Sequence, residues 1–219
     1  MSPRSLILAA WLLVLAGCVA QPPSTSLGLA ERLDTPASAL PAPDWRPGDR
    51  WVYEWASGAE RGTRTIEVVE SRIVNGVDFY VLNDGDAQQY YTKELHFAAG
   101  VRDSKVMVRM VPPQPWFTWP LAAARQWSYR GVYEDTDGRH GRDDRFAVVA
   151  TETVTVTAGE FRTIKIVRET ARREFDQYWY APAVRWYVRW VGRRGDVEFE
   201  EQLKEYHAVP RLISAPAPR

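Results

Sequence analysis

Alternation of apolar and polar residues with a period of two recurs along most of this chain, the signature of strands with one buried face. In "VRWYVRW", Val184, Trp186, Val188 and Trp190 fall on one side, and Arg185, Tyr187 and Arg189 on the other. "KVMVRMV" places Val106, Val108 and Met110 inward. "GDVEFEEQLKEY" sets Val197, Phe199 and Leu203 against Glu198, Glu200, Gln202 and Lys204, with Glu201 as the exception and a helix still open for its end. Turn signals punctuate these runs. Asn75-Gly76 supplies the positive φ angles of a tight hairpin, and Asp84-Gly85 and Ala158-Gly159 repeat the signal. With about ten to twelve such strands and no long amphipathic helix, the pattern predicts an all-β, mainly antiparallel domain, built as one curved sheet or open half-barrel.

The domain carries an internal echo. Trp51-x-Tyr53 and Trp127-x-Tyr129 open two similar stretches, each followed by a hairpin and then by "QYY" at 89–91 or "QYW" at 177–179. A duplicated half-domain explains this, and so does coincidence among aromatic-rich strands.

The alternation stops at both ends of the chain. Arg4 precedes the apolar run "LILAAWLLVLAG", which ends at Cys18, and this is the layout of a signal peptide. The run is shorter than the roughly 20 residues that a spanning helix needs. Leu15-Ala16-Gly17-Cys18 resembles a bacterial lipobox. That resemblance implies cleavage before Cys18, a diacylglycerol on its sulfur and an acyl chain such as palmitate on the new amine. More than one chain anchors a protein stably, since each buried methylene contributes about 0.8 kcal/mol. Cys18 is the only cysteine, so its acylation leaves no thiol for catalysis or a disulfide. Similarity to Gram-negative lipoproteins, with Val19 rather than Asp after the cysteine, implies the outer membrane, facing the periplasm.

Residues 1–17 therefore read as a lipoprotein signal peptide and 18–44 as the acylated cysteine with a flexible tether rich in Pro, Ala and Ser. Residues 45–207 read as the β-rich envelope domain and 208–219 as a disordered tail. Lys and Arg number 28 against 28 Asp and Glu, a balance that argues against nucleic acid and against a polybasic lipid contact.

Four blocks, "WRPGDRWVYEW", "PLAAARQWSYRG", "VTVTAGEFRTIKI" and "YWYAPAVRWYV", resemble in that order the motifs of the TapB-like envelope proteins and related β-rich bacterial envelope lipoproteins. That family pattern has Gly where this chain has Ala124 and Arg185, and Pro where it has Thr157. The resemblance implies a curved, mostly antiparallel sheet or open barrel, no established enzymatic activity and no catalytic residues to carry over.

Candidate chemistry is sparse. His96, His140 and His207 lack the spacing of a zinc site, and no Gly-x-Ser-x-Gly elbow occurs. Asp135-x-Asp137-Gly138 matches part of a calcium loop but lacks its closing Glu and is flanked by Arg139 and Arg142, so "YEDTDGRHGRDDRF" reads as a solvated hairpin loop. Glu200 and Glu201 face opposite ways on a strand. No catalytic residue, metal ligand or cofactor follows beyond the lipid at Cys18. "VPPQPWFTWPL" stands apart: its four prolines exclude a central strand, yet Trp116, Phe117, Trp119 and Leu121 are too apolar for an idle loop. Those rings either pack inward as a plug or form a flap toward an apolar ligand or the bilayer. Most of the ten tryptophans, including Trp51, Trp127, Trp186 and Trp190, fall at alternating positions and belong to a core.

The expected protein is a non-enzymatic envelope lipoprotein that binds an apolar ligand or an envelope partner. The alternative is a structural or assembly lipoprotein with a filled core. A glycan-active or glycan-binding protein is the third reading, which two carboxylates beside aromatics in one cleft would favour.

Overall fold

The computed structural model describes residues 39–171 and 174–210. Cys18, the signal peptide, residues 18–38 of the tether and residues 211–219 of the tail lie outside the described residues. Twelve strands follow one another: β1 (Arg50–Ser57), β2 (Glu60–Val74), β3 (Val77–Asp84), β4 (Ala87–Thr92), β5 (His96–Arg102) and β6 (Lys105–Pro115), then β7 (Gln126–Asp135), β8 (Gly138–Val156), β9 (Gly159–Thr170), β10 (Phe175–Ala181), β11 (Trp186–Arg194) and β12 (Val197–His207). Each pairs antiparallel with its neighbours in sequence, and β12 closes on β1 from Arg50↔His207 to Ser57↔Phe199. The domain is thus all-β and antiparallel, but a closed barrel replaces the expected open half-barrel. An open sheet leaves two rows of unpaired backbone groups, and closure removes both. The segment left open for a helix is β12, whose backbone is needed for that closure.

Bulges redirect several of the predicted faces. Tyr180 pairs with Tyr187 while Trp179 pairs with Arg189, so β11 holds one extra residue, and Tyr187 turns into the interior with Trp186 and Trp190 instead of outward. A shift on β6 leaves Val106 58% exposed, although alternation placed it inside, while Met110 is buried as expected. Glu201, the residue that broke the β12 pattern, is buried in the interior, where Arg64 donates to it at 2.9 Å and Tyr187 at 2.7 Å. Among the turns, Asn75 and Gly76 take φ of 51° and 80° as predicted. The next turn moves by one residue: Asp84 pairs with Ala87, and its carboxylate accepts from Arg64 inside the barrel. The Ala158-Gly159 turn also shifts, because Val156 pairs with Gly159.

Since successive strands reverse direction, their connections alternate between the two ends of the barrel. The β1–β2, β3–β4, β5–β6, β7–β8, β9–β10 and β11–β12 turns form the open end. The remaining turns, the incoming residues 39–49 and the outgoing residues 208–210 form a plugged end. There Trp45 is buried edge-on to Trp186 at 4.7 Å and donates its indole N–H to the Arg185 carbonyl at 2.9 Å. Leu40 and Leu121 exchange backbone hydrogen bonds, and Leu95, Phe117, Leu121 and Val184 are fully buried. The β8–β9 tip folds away across the outer wall, with Ala158 N donating to Leu203 O at 3.0 Å and the Thr157 hydroxyl to Glu54.

The prolines act differently from the sequence expectation. β6 runs on to Pro115, but its ladder with β7 stops at Val111↔Val132. Beyond that point side chains replace the ladder: Tyr129 donates to the Pro112 carbonyl at 2.7 Å and Trp127 to that of Pro115 at 3.0 Å. The other Trp-x-Tyr pair makes the same kind of clamp, from Trp51 to Val184 O and from Tyr53 to Tyr187 O, each at 2.8 Å. The two pairs open β1 and β7, and "QYY" and "QYW" lie on β4 and β10, so both parts of the echo recur six strands apart.

A single carboxylate ties the plugged end together. Asp49 has no exposed surface and accepts from Arg46 N at 3.0 Å, Val209 N at 2.6 Å and the Arg185 guanidinium at 3.0 Å. Arg185 therefore does not face solvent freely. It and Ala124 have φ of 61° and 57°, the left-handed region in which a Cβ costs about 1–2 kcal/mol. Ala124 is exposed, and Ala124→Gly is expected to stabilise the protein by about 1 kcal/mol after the entropy of a freer unfolded chain is deducted. Thermal melting should show a rise of a few degrees, and an equal or lower Tm would contradict the argument.

Candidate ligand cavity

A cavity of about 540 Å³ occupies the open half of the barrel. One wall is apolar, made by Phe97 of β5, Met110 of β6, Trp116 just after β6, Tyr178 of β10 and Trp190 of β11. Trp116 forms its floor. Its ring lies 5.1 Å from Tyr178 and 5.9 Å from Trp190, and stacks on Trp186 at 6.0 Å with 12° between planes, so the cavity ends where the plug begins.

The other wall is ionic. β8 presents His140 and Arg142 to the cavity, with Asp144 buried beneath, because residues two apart share a face. The solvated loop expected here is only the turn Thr136–Asp137; the remainder is the β7–β8 ladder, paired as far as Asp135↔Gly138. Asp135 caps that turn, accepting from Asp137 N at 2.9 Å and Gly138 N at 3.1 Å, and lies 3.6 Å from His140 Nε2. Its chemistry is that of a turn cap. Among the described residues no group of three or more His, Cys, Asp or Glu is placed to hold a metal ion.

Below the mouth the charges interlock. Asp176, without exposed surface, accepts from Arg168 Nε at 2.7 Å and from Trp190 Nε1 and Arg194 Nη2 at 3.0 Å. Gly192 makes room for it, since a Cβ there would lie 2.7 Å from Asp176 Oδ1. Asp144 accepts from the Gln114 amide and lies 3.4 Å from Arg142 and 3.5 Å from Arg168; Arg142 also reaches Glu174 at 3.4 Å. Three arginines thus face three acids, which is what makes so much buried charge tolerable. Two buried atoms of this cluster, Arg142 Nε and Asp144 Oδ1, have no hydrogen-bond partner among the described residues. Burial pushes the Tyr133 and Tyr178 phenols above their usual pKa, so both meet the cavity uncharged. A second ionic group, Arg64 with Asp84 at 2.7 Å and Glu201 at 2.9 Å, braces another part of the interior, where Tyr187 stacks on Tyr53 at 4.8 Å.

The residues singled out by sequence separate into different roles. Trp116 lines the cavity. Phe117 is fully buried against Tyr180 and Trp186, at 5.2 and 5.5 Å. Trp119 is half-buried, packs on Phe117 and Tyr180, and donates to the Glu94 carbonyl at 2.9 Å. The "VPPQPWFTWPL" segment is therefore a plug that shows one ring to the cavity. Sequence reasoning missed Arg142, Asp144, Arg168, Asp176 and Arg194. Extending the inward face of Phe146 and Val148 backward in steps of two would have found the first two, but their polarity made the segment read as a loop.

No family model matches this chain, and no curated protein matches it. Solved structures similar to it include a candidate lipoprotein of Parabacteroides distasonis, at 14% identity and a TM-score of 0.40, covering 77% of this chain and 97% of that one. A candidate exported protein of Bacteroides fragilis with a YmcC-like fold aligns at 13% identity and a TM-score of 0.46, over 77% of this chain and 99% of that one. The hypothetical lipoprotein YmcC of Escherichia coli aligns at 8% identity and a TM-score of 0.38, over 78% and 86%. None of these three carries the TapB-like name, and likeness at this level transfers no function.

Proposed function

We propose that the protein is a non-enzymatic lipoprotein, anchored through Cys18 in the outer membrane and facing the periplasm, whose barrel binds a small amphipathic molecule in its open half. The observation that carries this reading is the two-sided cavity: about 540 Å³, aromatic on one wall and ionic on the other. That volume suits a small ligand, for which pockets run from about 300 to 1,000 Å³. A wholly apolar ligand fits less well, because burying the ionic wall against hydrocarbon costs the hydration of its exposed polar atoms. The His140, Arg142 and Arg194 side chains line the same wall and favour a ligand with a polar or anionic end. Carboxylates do stand beside aromatics here, but Asp144 and Asp176 are both engaged by Arg168, which favours binding over glycoside hydrolysis. The assembly alternative expects a filled interior, and the cavity leaves part of the open half unfilled.

The test uses the full-length Cys18→Ser chain, which has no acyl group to occupy the site, with 8-anilinonaphthalene-1-sulfonate, whose rings and sulfonate match the two walls, as an amphipathic fluorescent probe. Saturable binding is expected. Met110→Trp, which fills the cavity from its apolar wall, should weaken binding at least about tenfold, or about 1.4 kcal/mol, with little change in Tm. No binding by the parent chain would refute the carrier reading, and equal binding by the variant would move the site elsewhere.

A further inference from the structure

We infer that the plugged end of the barrel rests on the bilayer surface, with the tip of the β2–β3 hairpin entering the lipid interface, so that the cavity opens away from the membrane. This rests on the acyl anchor of the proposed function and adds a docking surface to it. The point of chain entry supports it: Leu40 and Trp45 fix the incoming segment at the plugged end, so the chain leading back to Cys18 joins there. An extended chain spans about 3.3 Å per residue, so a tether of this length alone would not fix orientation.

The chemistry of the two ends supplies the second, independent argument. At the open end every turn carries a carboxylate in or beside it, Glu60, Asp86, Asp103, Asp137, Glu174 and Asp196. The exposed Val106 and Val197 there stand singly beside Lys105 and Asp196, whereas the charges in the plugged-end turns include the cations Lys93, Arg125 and Arg185. At the plugged end the hairpin tip presents Ile73, Val74 and Val77, which are 72%, 38% and 45% exposed and make no contribution to the core. Other loops of that end expose Pro120, Ala123, Pro182 and Ala183, and Trp119 is half-buried with its indole N–H already satisfied by the Glu94 carbonyl. Of the cations there, Arg46, Lys93 and Arg185 are paired with Asp44, Asp78 and Asp49. Exposed β-branched residues on a projecting tip, with a tryptophan among small uncharged residues, suit the membrane interface, where apolar groups leave water and amphipathic rings sit at headgroup depth. A lipid surface is the occupant this arrangement fits, because the tip projects from the end at which the anchored chain enters.

The experiment uses the full-length acylated protein in vesicles of phosphatidylethanolamine and phosphatidylglycerol. Cys18 is blocked by its lipid, so Val74→Cys and Asp86→Cys each offer one thiol for an environment-sensitive nitrobenzoxadiazole label. The label at 74 should shift to the blue and be quenched by doxyl-labelled lipid, while the label at 86 stays in water and is quenched only by aqueous iodide. If the protein floats with the vesicles but both labels remain aqueous, or only the label at 86 meets lipid, the docking inference is overturned and the anchor reading stands. Failure to float, with an intact mass lacking acyl chains, sinks the anchor reading and the docking inference with it.

Discussion

Arg185→Ala is expected to destabilise the protein by about 3–5 kcal/mol, the usual consequence of removing one partner from a buried ion pair. Alternation in "VRWYVRW" makes Arg185 a solvent-facing residue whose loss would scarcely matter. In the structure its guanidinium lies 3.0 Å from Asp49, a carboxylate with no exposed surface, and its other Nη donates to Val209 O at 2.9 Å. Truncation strands the Asp49 charge with only two backbone N–H donors. Two further variants separate this cause from general damage. Arg185→Gly loses the same ion pair but relieves the left-handed backbone, so it should be milder than the alanine variant by about 1 kcal/mol. Adding Asp49→Asn to Arg185→Ala should recover part of the loss, because the orphaned charge is gone. Urea unfolding measures all three, and an alanine variant within about 0.5 kcal/mol of the parent would restore the exposed reading.

Phe117→Ala should cost about 3–5 kcal/mol, while Trp119→Ala should cost far less. Phe117 is sealed between Tyr180 and Trp186, and deleting its ring opens a hole in the plug that its rigid neighbours cannot refill. Trp119 is half in water, so truncation removes less buried area and leaves no enclosed void. Replacing Trp116, Phe117 and Trp119 together by Ser is then expected to abolish the fold rather than merely empty a binding flap. Circular dichroism melts decide the matter: a cooperative transition near the parent Tm for Phe117→Ala would return these residues to a surface flap.

Both variants probe places where local pattern and tertiary context disagree. The all-β antiparallel class, a count of about ten to twelve strands and the Asn75-Gly76 turn were legible because each depends on a period of two or on a few consecutive residues with a known φ preference. The lipobox reading of Cys18 rests on the chain alone, since that residue lies outside the described residues. Glu201 was visible as an anomaly, and an acidic residue on an apolar strand face is a fair sign of a partner elsewhere; nothing local pointed to Arg64.

Closure, side-chain facing and the cavity belonged to the tertiary structure. Closure pairs Arg50 with His207, and no window along the chain contains both. A bulge changes the facing of residues on one side of it relative to the other, so the unpaired Val188 of β11 lets Tyr187 and Trp190 both face inward. The ionic wall is the sharpest case. Arg142, Arg168, Asp176 and Arg194 come from four strands, and each alone looks like a solvent-facing charge. Only when the barrel brings them within hydrogen-bonding distance do their desolvation costs cancel, and only then can charged residues occupy an interior that period-two reading reserves for apolar ones.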